Sequence, residues 1–469
     1  MLSTKRIALL IVIPCLLIPK LFCQTVSGQS QPPPANTFTL KQAIDQALAN
    51  YPAVRAALER VAAAHGAVSL AFTSYLPHAN TLWQSNRATA NNIFGLLLPQ
   101  SVISPITGPV LSSTSNQSVW GSAAGVLFSW EPVDFGYRRA AVNAARASEV
   151  KSAAELSVTR LDVAVAATDA FLTLLAAKQT VQAAQADVDR REVLAKSVHV
   201  LVTNELRPGA DASRADAELA RARTVLARAQ QQQEVSRAVL ADFLGLAGTE
   251  VDVQPGPLLD APPESTPPAL TIPAHPVAVA QQARIDEVRA REHVLDRSYY
   301  PRFDLQSTVF GRGSGANPDG SFATGSNGLG LERSNWAVGI TVSFPLFDVF
   351  SIRARKRIEG SNERAEAARY DQTIQDLTGQ LAQAKAALEG ARQVAADTPV
   401  ELQAARDTET QARARYRAGL ATIVEVAEAQ GLLVQADIDD SLARLAVWHN
   451  LASIAAAEGS LEPFLQLLH

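Results

Sequence analysis

The sequence has 469 residues with 42 basic and 46 acidic side chains, a formal charge of −4, and only two cysteines. The acidic balance disfavours a nucleic-acid partner, because such partners need basic surface patches. Beyond residue 28 no stretch approaches about 18 continuous apolar residues, so the sequence predicts no transmembrane helix there. If this part of the chain meets a membrane, it must do so with strands.

Residues 1–28 are predicted to form an export signal. Lys5 and Arg6 supply a positive start, an apolar run covers Ile7–Ile18, and Val26–Gly28 offers small residues for a cleavage site. Cleavage at this point would remove three basic and no acidic side chains, which leaves a formal charge of −7.

The two cysteines, Cys15 and Cys23, both lie within the predicted signal. Neither follows the Leu-Ala-Gly-type approach of a bacterial lipoprotein site, which disfavours lipid attachment without excluding it. A chain cleaved near residue 28 has no cysteine, and therefore no disulfide and no thiol chemistry.

Matched landmarks indicate that the chain contains two copies of one unit. Pro52 and Pro77 bracket one helical stretch, Pro276 and Pro301 bracket another, and both prolines shift by the same 224 positions. Arg207–Gly209 is repeated as Arg-Ala-Gly at an offset of 210. Matches at fixed offsets are the signature of an internal repeat.

Each copy is predicted to run from a short helix through two strands to a very long helix, a turn and a second long helix. Proline-rich sequence joins the copies and is predicted to be an extended linker without a core of its own. The predicted segments are a first repeat at 36–246 with strands at about 80–89 and 118–130 and a helical hairpin at 138–246, a linker at 247–274, and a second repeat at 275–460 with strands at about 302–310 and 335–344 and a hairpin at 352–458.

The strands show the alternation that a membrane-spanning strand needs. In the second copy, Trp336, Val338, Ile340 and Val342 alternate with small or polar residues. Lipid on one side and water on the other require this pattern. One face of an ordinary soluble sandwich would have the same alternation, so the strands alone leave both open. The Gly- and Ser-rich residues 311–334 are predicted to be a solvent-facing loop.

The helical stretches are too long for a globular core. Residues 138–206 contain neither proline nor glycine and would span roughly 100 Å as one helix. Such a helix must pack lengthwise against others, and alanine-rich seams favour close approach. A plain coiled-coil scaffold is equally compatible with the helices considered alone.

Only four strands are predicted per chain, whereas the smallest membrane barrels have about eight strands and open strand edges are not tolerated in lipid. Several chains must therefore pool their strands around one pore, and the long helices must continue that pore as a tube. This organisation favours a conduit.

Three motifs resemble the TolC-type outer membrane efflux proteins, the outer membrane factors of tripartite export systems. The resemblance extends from about residue 36 to 460 and rests on the opening at Phe38–Pro52, the strand-to-helix junction Phe344–Asp348, and the tip signature Tyr416–Gly419 and Thr422–Gln430. It implies a mainly helical fold with a small β part. It also implies a trimer with a 12-stranded outer membrane β-barrel over a periplasmic coiled-coil tunnel, fed by an inner-membrane pump and a periplasmic adaptor.

The resemblance also implies roles for residues at the hairpin tips. Glu425 and Glu428 match the acidic residues that ring the periplasmic constriction, where like charges favour cations and raise carboxylate pKa values. Ala421 replaces the basic residue that helps to lock the family's closed state, which puts a salt-bridge latch in doubt. Adaptor docking is predicted at Arg207, Gly209, Tyr416, Arg417 and Gly419.

Plainer interpretations of these residues stay open. Glu425 and Glu428 can be solvated surface glutamates, and the glycines at the two turns can be helix C-caps with positive φ. The 210-residue offset places Ala215 and Glu218 of the first hairpin opposite Glu425 and Glu428.

Asp211 and Glu205 near the first tip are expected to be helix-end charges. His65 and His199 have no second ligand at metal spacing, so no metal and no cofactor are predicted.

The function predicted is a passive outer membrane exit duct for efflux or type I secretion, not an enzyme. Nucleophile-elbow and zinc-protease motifs are absent from the sequence. The alternative is a periplasmic scaffold whose strands never enter lipid. The exported substrate and the class of pump cannot be read from these residues.

Overall fold

Helices and a few long strands account for the part of the chain that the computed structural model describes, residues 36–89, 117–260, 263, 272–317, 319 and 321–468. The predicted export signal and part of the predicted linker lie outside these residues. In chain order the elements are β1 (Asn36–Phe38), α1 (Leu40–Asn50), α2 (Pro52–Thr73), β2 (His78–Thr89), β3 (Ser118–Val133), α3 (Tyr137–Thr203), α4 (Gly209–Phe243), β4 (Val251–Val253), α5 (Pro276–Arg297), β5 (Arg302–Ser314), β6 (Arg333–Ser343), α6 (Asp348–Arg417), α7 (Ile423–Glu458) and α8 (Glu462–Gln466).

The repeat predicted from the prolines is present in the fold. Helices α2 and α5 each begin with a proline, at Pro52 and Pro276, and each has 22 residues. Proline suits a first helical position because that position needs no N–H donor. Strands β2 and β5 follow at the same offset of 224 residues. The prediction of a mainly helical chain with two tandem repeats and four long strands is confirmed.

The two long hairpins are α3 with α4 and α6 with α7, which pack along their lengths. Helix α3 has 67 residues and α6 has 70, so each spans on the order of 100 Å. Pro399 lies inside α6, and the helix continues through it. The hairpins carry their ends far from the sheet.

The main core lies where the two hairpins meet α1 and the C-terminal helix α8. Its largest fully buried side chains include Phe171 and Leu174 from α3, Trp448 from α7 and Phe464 from α8. The rings of Trp448 and Phe464 meet edge to face at 6.3 Å between centroids. This core fixes the two repeats against each other.

The predicted linker is not extended throughout. Within it, β4 pairs in parallel with β1, and Val251 and Val253 are buried in the main core. Leu258, in the 3-10 turn that follows, is also buried in the main core. The many prolines of this segment drew attention away from these three apolar residues. Their burial offsets the conformational entropy lost when this part of the segment is ordered.

The four long strands form one antiparallel sheet in the order β2-β3-β5-β6. Within the described residues, the outer edges of β2 and β6 have no strand partner. The helices attached to these strands form a row in the same order, because α2 packs on α3, α3 on α5 and α5 on α6. Each repeat therefore contributes one pair of strands and one pair of helices to a continuous row.

One face of the sheet is apolar and exposed. Trp336 is 78% exposed, and Val338 and Ile340 on the same strand face are also exposed. Thr308 and Phe310, which point to the opposite face, are buried. No helix in the described residues combines the length and hydrophobicity that crossing a bilayer requires.

The sequence predicted a solvent-facing loop between β5 and β6, but this connection also contacts the sheet. It folds back over the sheet, where the Ser122 hydroxyl donates to the Gly330 carbonyl at 3.3 Å, and the Ala323 N–H donates to the Gly315 carbonyl at 2.8 Å. Gly313 makes this approach possible, since a Cβ there would lie 1.7 Å from the Gly330 oxygen.

We predict that Gly313→Ala displaces this connection, with a destabilisation of about 1–3 kcal/mol from overpacking. Gly330→Ala is the matched control, because a Cβ at Gly330 meets no atom within 4 Å. Hydrogen exchange of residues 321–332 followed by mass spectrometry should accelerate in the first variant only. Equal exchange in the two variants would contradict the close approach.

Candidate functional site

The turns of the two long hairpins pack against each other and form the candidate site. A small apolar cluster joins them at the end of the molecule remote from the sheet. Its buried members are Ala195, Val198, Ala212 and Ala215 from the first hairpin and Tyr416, Ala421, Ile423 and Val426 from the second. The tips are therefore one packed unit within a single chain.

Both turns leave the first helix through a residue in the left-handed region. In the first turn that residue is Glu205, with φ +53°, and the Leu206 N–H donates to the Leu201 carbonyl at 2.9 Å. In the second turn it is Gly419, with φ +77°, and the Leu420 N–H donates to a carbonyl five residues back in the same way. The expected positive φ at Gly419 is confirmed.

The expectation for Gly209 is wrong, because Gly209 is the first residue of α4 and has no positive φ. The structural counterpart of Gly419 is Glu205, at an offset of 214 rather than 210. The Arg-x-Gly motifs thus lie four residues out of register. At the true offset, Glu425 corresponds to Asp211 and not to Ala215.

A polar link joins the two tips around Tyr416, which is only 2% exposed. The Tyr416 hydroxyl donates to the Asp211 carboxylate at 3.1 Å. The Arg207 guanidinium donates to the Tyr416 carbonyl at 2.5 Å and lies over the Tyr416 ring, 4.5 Å from its centroid. Together these contacts tie the first turn to the end of α6.

Burial, followed by the hydrogen bond to Asp211, raises the pKa of Tyr416 to about 12. The hydroxyl therefore keeps its proton, and its role as a donor to Asp211, throughout the physiological pH range. Asp211 lies in the first turn of α4, where a helix-end charge is expected. Its hydrogen-bond partner is 205 residues away in sequence, and no local pattern indicates that contact.

Glu425 and Glu428 lie on the exposed face of the first turns of α7. Thr422 and Glu425 form a capping box, in which the Thr422 N–H donates to the Glu425 carboxylate at 3.0 Å. This hydrogen bond lowers the pKa of Glu425. The direction is opposite to the rise expected for a ring of like charges, because within one chain the cap acts on the carboxylate. Arg415 lies 4.0 Å from it.

The remaining residues predicted for docking differ in their placement. Arg417, Gly209 and Gly419 are exposed, whereas Arg207 is half-buried and Tyr416 is enclosed between the hairpins. The sequence did not single out the two leucines that follow the left-handed residues, Leu206 and Leu420, yet both are largely exposed. Docking of an adaptor at this surface stays a prediction.

Below the first tip, a buried ion-pair network holds α3 against α4. The Arg191 guanidinium lies 2.8 Å from the Asp187 carboxylate on α3 and 3.3 Å from the Glu218 carboxylate on α4. Glu218 also pairs with Arg214 at 3.0 Å. Hydrogen bonds between ionised groups are stronger than neutral ones, so this network stiffens the hairpin that carries the tip.

The two histidines considered as ligands instead pair with single carboxylates. His65 lies 2.9 Å from Glu149, and His199 lies 2.9 Å from Asp216. In the part of the chain that is described, no three ligating side chains form a group that could hold a metal ion.

A family model described as "Outer membrane efflux protein" matches residues 43–246 and 275–460, which together make up most of the chain. The chain belongs to the outer membrane efflux protein family. This membership confirms the resemblance found in the tip and junction motifs. It also confirms the predicted class of protein, an efflux protein of the outer membrane rather than an enzyme. The two matched segments correspond to the two repeats.

Among relatives of this efflux protein, Protein CyaE of Bordetella pertussis is 27% identical over 352 residues, which are 72% of this chain and 66% of the relative. The match thus spans slightly less than two thirds of that protein. Several solved structures share the fold, among them two that are described as outer membrane channels. The Campylobacter jejuni CmeC structure is 16% identical, with 95% of this chain and 94% of that chain covered and a TM-score of 0.70. The open-state Neisseria gonorrhoeae MtrE structure is 18% identical, with 90% and 89% covered and a TM-score of 0.66.

We predict that Tyr416 ionises with a midpoint near pH 12, read as the difference in tyrosinate absorbance between the parent protein and Tyr416→Phe. Its contribution to stability is complete below the ordinary tyrosine pKa of about 10 and is lost as pH rises through the folded value.

Asp211→Asn should lower this midpoint, because the charged acceptor is lost. Arg417→Ala, which changes an exposed neighbour, should leave it unchanged. A midpoint near the ordinary tyrosine pKa of about 10 in the parent protein would contradict the buried hydrogen bond between the tips.

Proposed function

We propose that this efflux protein is one subunit of a trimeric, passive exit duct in the outer membrane. The observation that carries the proposal is the four-stranded sheet, whose apolar face is exposed and whose edges β2 and β6 have no partner in the described residues. Unpaired backbone groups cost several kcal/mol each in lipid. Three copies joined edge to edge supply twelve strands and leave no open edge.

The helices extend the same arrangement away from the sheet. The row α2, α3, α5 and α6 follows the strand order, and its long members reach on the order of 100 Å. In three copies this row closes into a tube that continues the strand-built pore through the periplasm. The cargo we propose is material for efflux or type I secretion, supplied by an inner-membrane pump.

The hairpin tips are proposed to be the periplasmic mouth. The Arg207–Tyr416–Asp211 link holds the two tips of one chain together, so widening the mouth requires the two hairpins to separate at this link. Glu425 and Glu428 are proposed to line the mouth. The exposed surface around Leu206, Leu420 and Arg417 is proposed to receive a periplasmic adaptor.

A periplasmic scaffold without lipid contact is the competing function. Such a protein would be recovered in the soluble periplasmic fraction, whereas a duct sediments with outer membranes. The exposed apolar face around Trp336 and the family membership both favour the duct.

We predict that the detergent-solubilised protein has a mass of three chains, because only a shared sheet satisfies the edges of β2 and β6. Light scattering coupled to gel filtration measures this mass. A monodisperse monomer would count heavily against a shared pore.

We also predict that Glu425→Ala combined with Glu428→Ala reduces cation selectivity in planar bilayers, because a ring of carboxylates in a narrow mouth attracts cations. Glu401→Ala, which removes an exposed glutamate on α6 well away from the turn, is the control. Selectivity equal to that of the control would make Glu425 and Glu428 ordinary surface residues.

A further inference from the structure

Two kinds of connection alternate where the sheet meets the helices. Chain segments that enter the sheet are the first entry segment, residues 74–77 between α2 and β2, and the second entry segment, residues 298–301 between α5 and β5. Segments that leave it are the first junction, residues 134–136 between β3 and α3, and the second junction, residues 344–347 between β6 and α6. In the row of strands, the first junction is the neighbour of the second entry segment.

Aromatic side chains join this neighbouring pair within one chain. Phe135 of the first junction stacks on Tyr300 of the second entry segment, with 5.6 Å between ring centroids, and its ring lies 6.0 Å from that of Phe303. Phe135 has φ +50°, which is unusual for a residue with a side chain. The junction thus accepts a strained backbone while its ring covers the entry segment.

The repeat places apolar residues at the corresponding positions of the other two segments. Leu346 stands two residues before α6, as Phe135 stands two residues before α3. Leu76 precedes Tyr300 by 224 residues, which is the offset that relates α2 to α5. Leu346 is 75% exposed, its neighbour Phe347 is 85% exposed, and Leu76 is 60% exposed. The chain thus has the two sides of a second contact of the same kind, Leu346 with Phe347 on one side and Leu76 on the other. They lie at opposite ends of the row, and both are exposed.

We propose that the second junction of one copy packs on the first entry segment of the next copy, with Leu346 and Phe347 against Leu76. This inference rests on the proposed shared sheet and adds to it a second, side-chain contact between subunits. When β6 of one copy pairs with β2 of the next, the second junction becomes the neighbour of a first entry segment. It then repeats the relation already observed between Phe135 and Tyr300.

This contact extends the interface between copies from the paired strands to the start of the helices. Strand pairing alone satisfies backbone groups but selects no particular partner. Burial of three large apolar side chains stabilises the pairing of β6 of one copy with β2 of the next. It also removes from water an apolar patch that a lone chain exposes.

Cysteine cross-linking tests the contact. The variant Leu76→Cys with Leu346→Cys, treated in membranes with a short bis-maleimide, is expected to give covalent dimers and trimers on denaturing gels. The matched control, Phe135→Cys with Tyr300→Cys, is expected to link within one chain and to run as a monomer. The parent protein without engineered cysteines is the blank, because it shows any link made by its own two cysteines, Cys15 and Cys23.

Each outcome has a distinct meaning. Linked dimers and trimers support the contact. A trimer by mass that gives no link between chains overturns this inference alone. Efficient labelling of the single variant Leu346→Cys by a lipid-soluble maleimide does the same, because it would make lipid the occupant. A monomer by mass overturns the inference together with the proposed duct.

A second variant keeps the test independent of cross-linker geometry. Leu346→Glu is expected to lower the temperature at which the trimer dissociates on semi-native gels, because it places a charge in the contact. Val200→Glu, a similar change at an exposed apolar residue of α3, is expected to leave that temperature unchanged. Equal behaviour of the two variants would overturn the contact.

Discussion

Backbone hydrogen bonding at two strand edges is the constraint on which the rest of the structure depends. Within the described residues the outer edges of β2 and β6 have no strand partner, and a four-stranded sheet with an apolar face cannot enter lipid while the N–H and C=O groups of such edges are unpaired. The helices attached directly to these strands, α2, α3, α5 and α6, continue the same row, so they inherit the requirement for a neighbouring copy. The residues at the second junction and the first entry segment are exposed for the same reason, because they lie at the two ends of the row, where a neighbouring copy would cover them.

At the other end of the molecule, local hydrogen bonds control the chemistry of the tips. Tyr416 is held as a neutral donor by burial and by Asp211, and Glu425 is held as an anion by the cap at Thr422. The tips therefore combine a fixed link between hairpins with an exposed acidic face. A mouth built in this way can present charge to the solution without losing the contact that keeps its two hairpins together.

Much of the fold follows from the sequence, because it depends on signals that are local. Prolines at helix starts, alternation in the strands and long stretches without glycine or proline identify the repeat and its elements. The tip register does not follow, because the Arg-x-Gly motifs suggest one offset whereas the left-handed residues Glu205 and Gly419 require another. The link between Asp211 and Tyr416 and the burial of Val251 also escape prediction, since each depends on a partner distant in sequence.

The three additional residues of α6 have a geometric consequence. Helix α6 has 70 residues and α3 has 67, which accounts for the change in offset from 211 where these helices begin to 214 at the turns. Three residues add about 4.5 Å of length and rotate the helix by about 300°, which is about 60° short of a full turn. Corresponding positions of α3 and α6 therefore face in different directions near the tips, and the two tips are not interchangeable. In the proposed assembly of three chains, two different kinds of tip alternate around the rim, and a partner with a matching alternation has its rotational setting fixed by that difference.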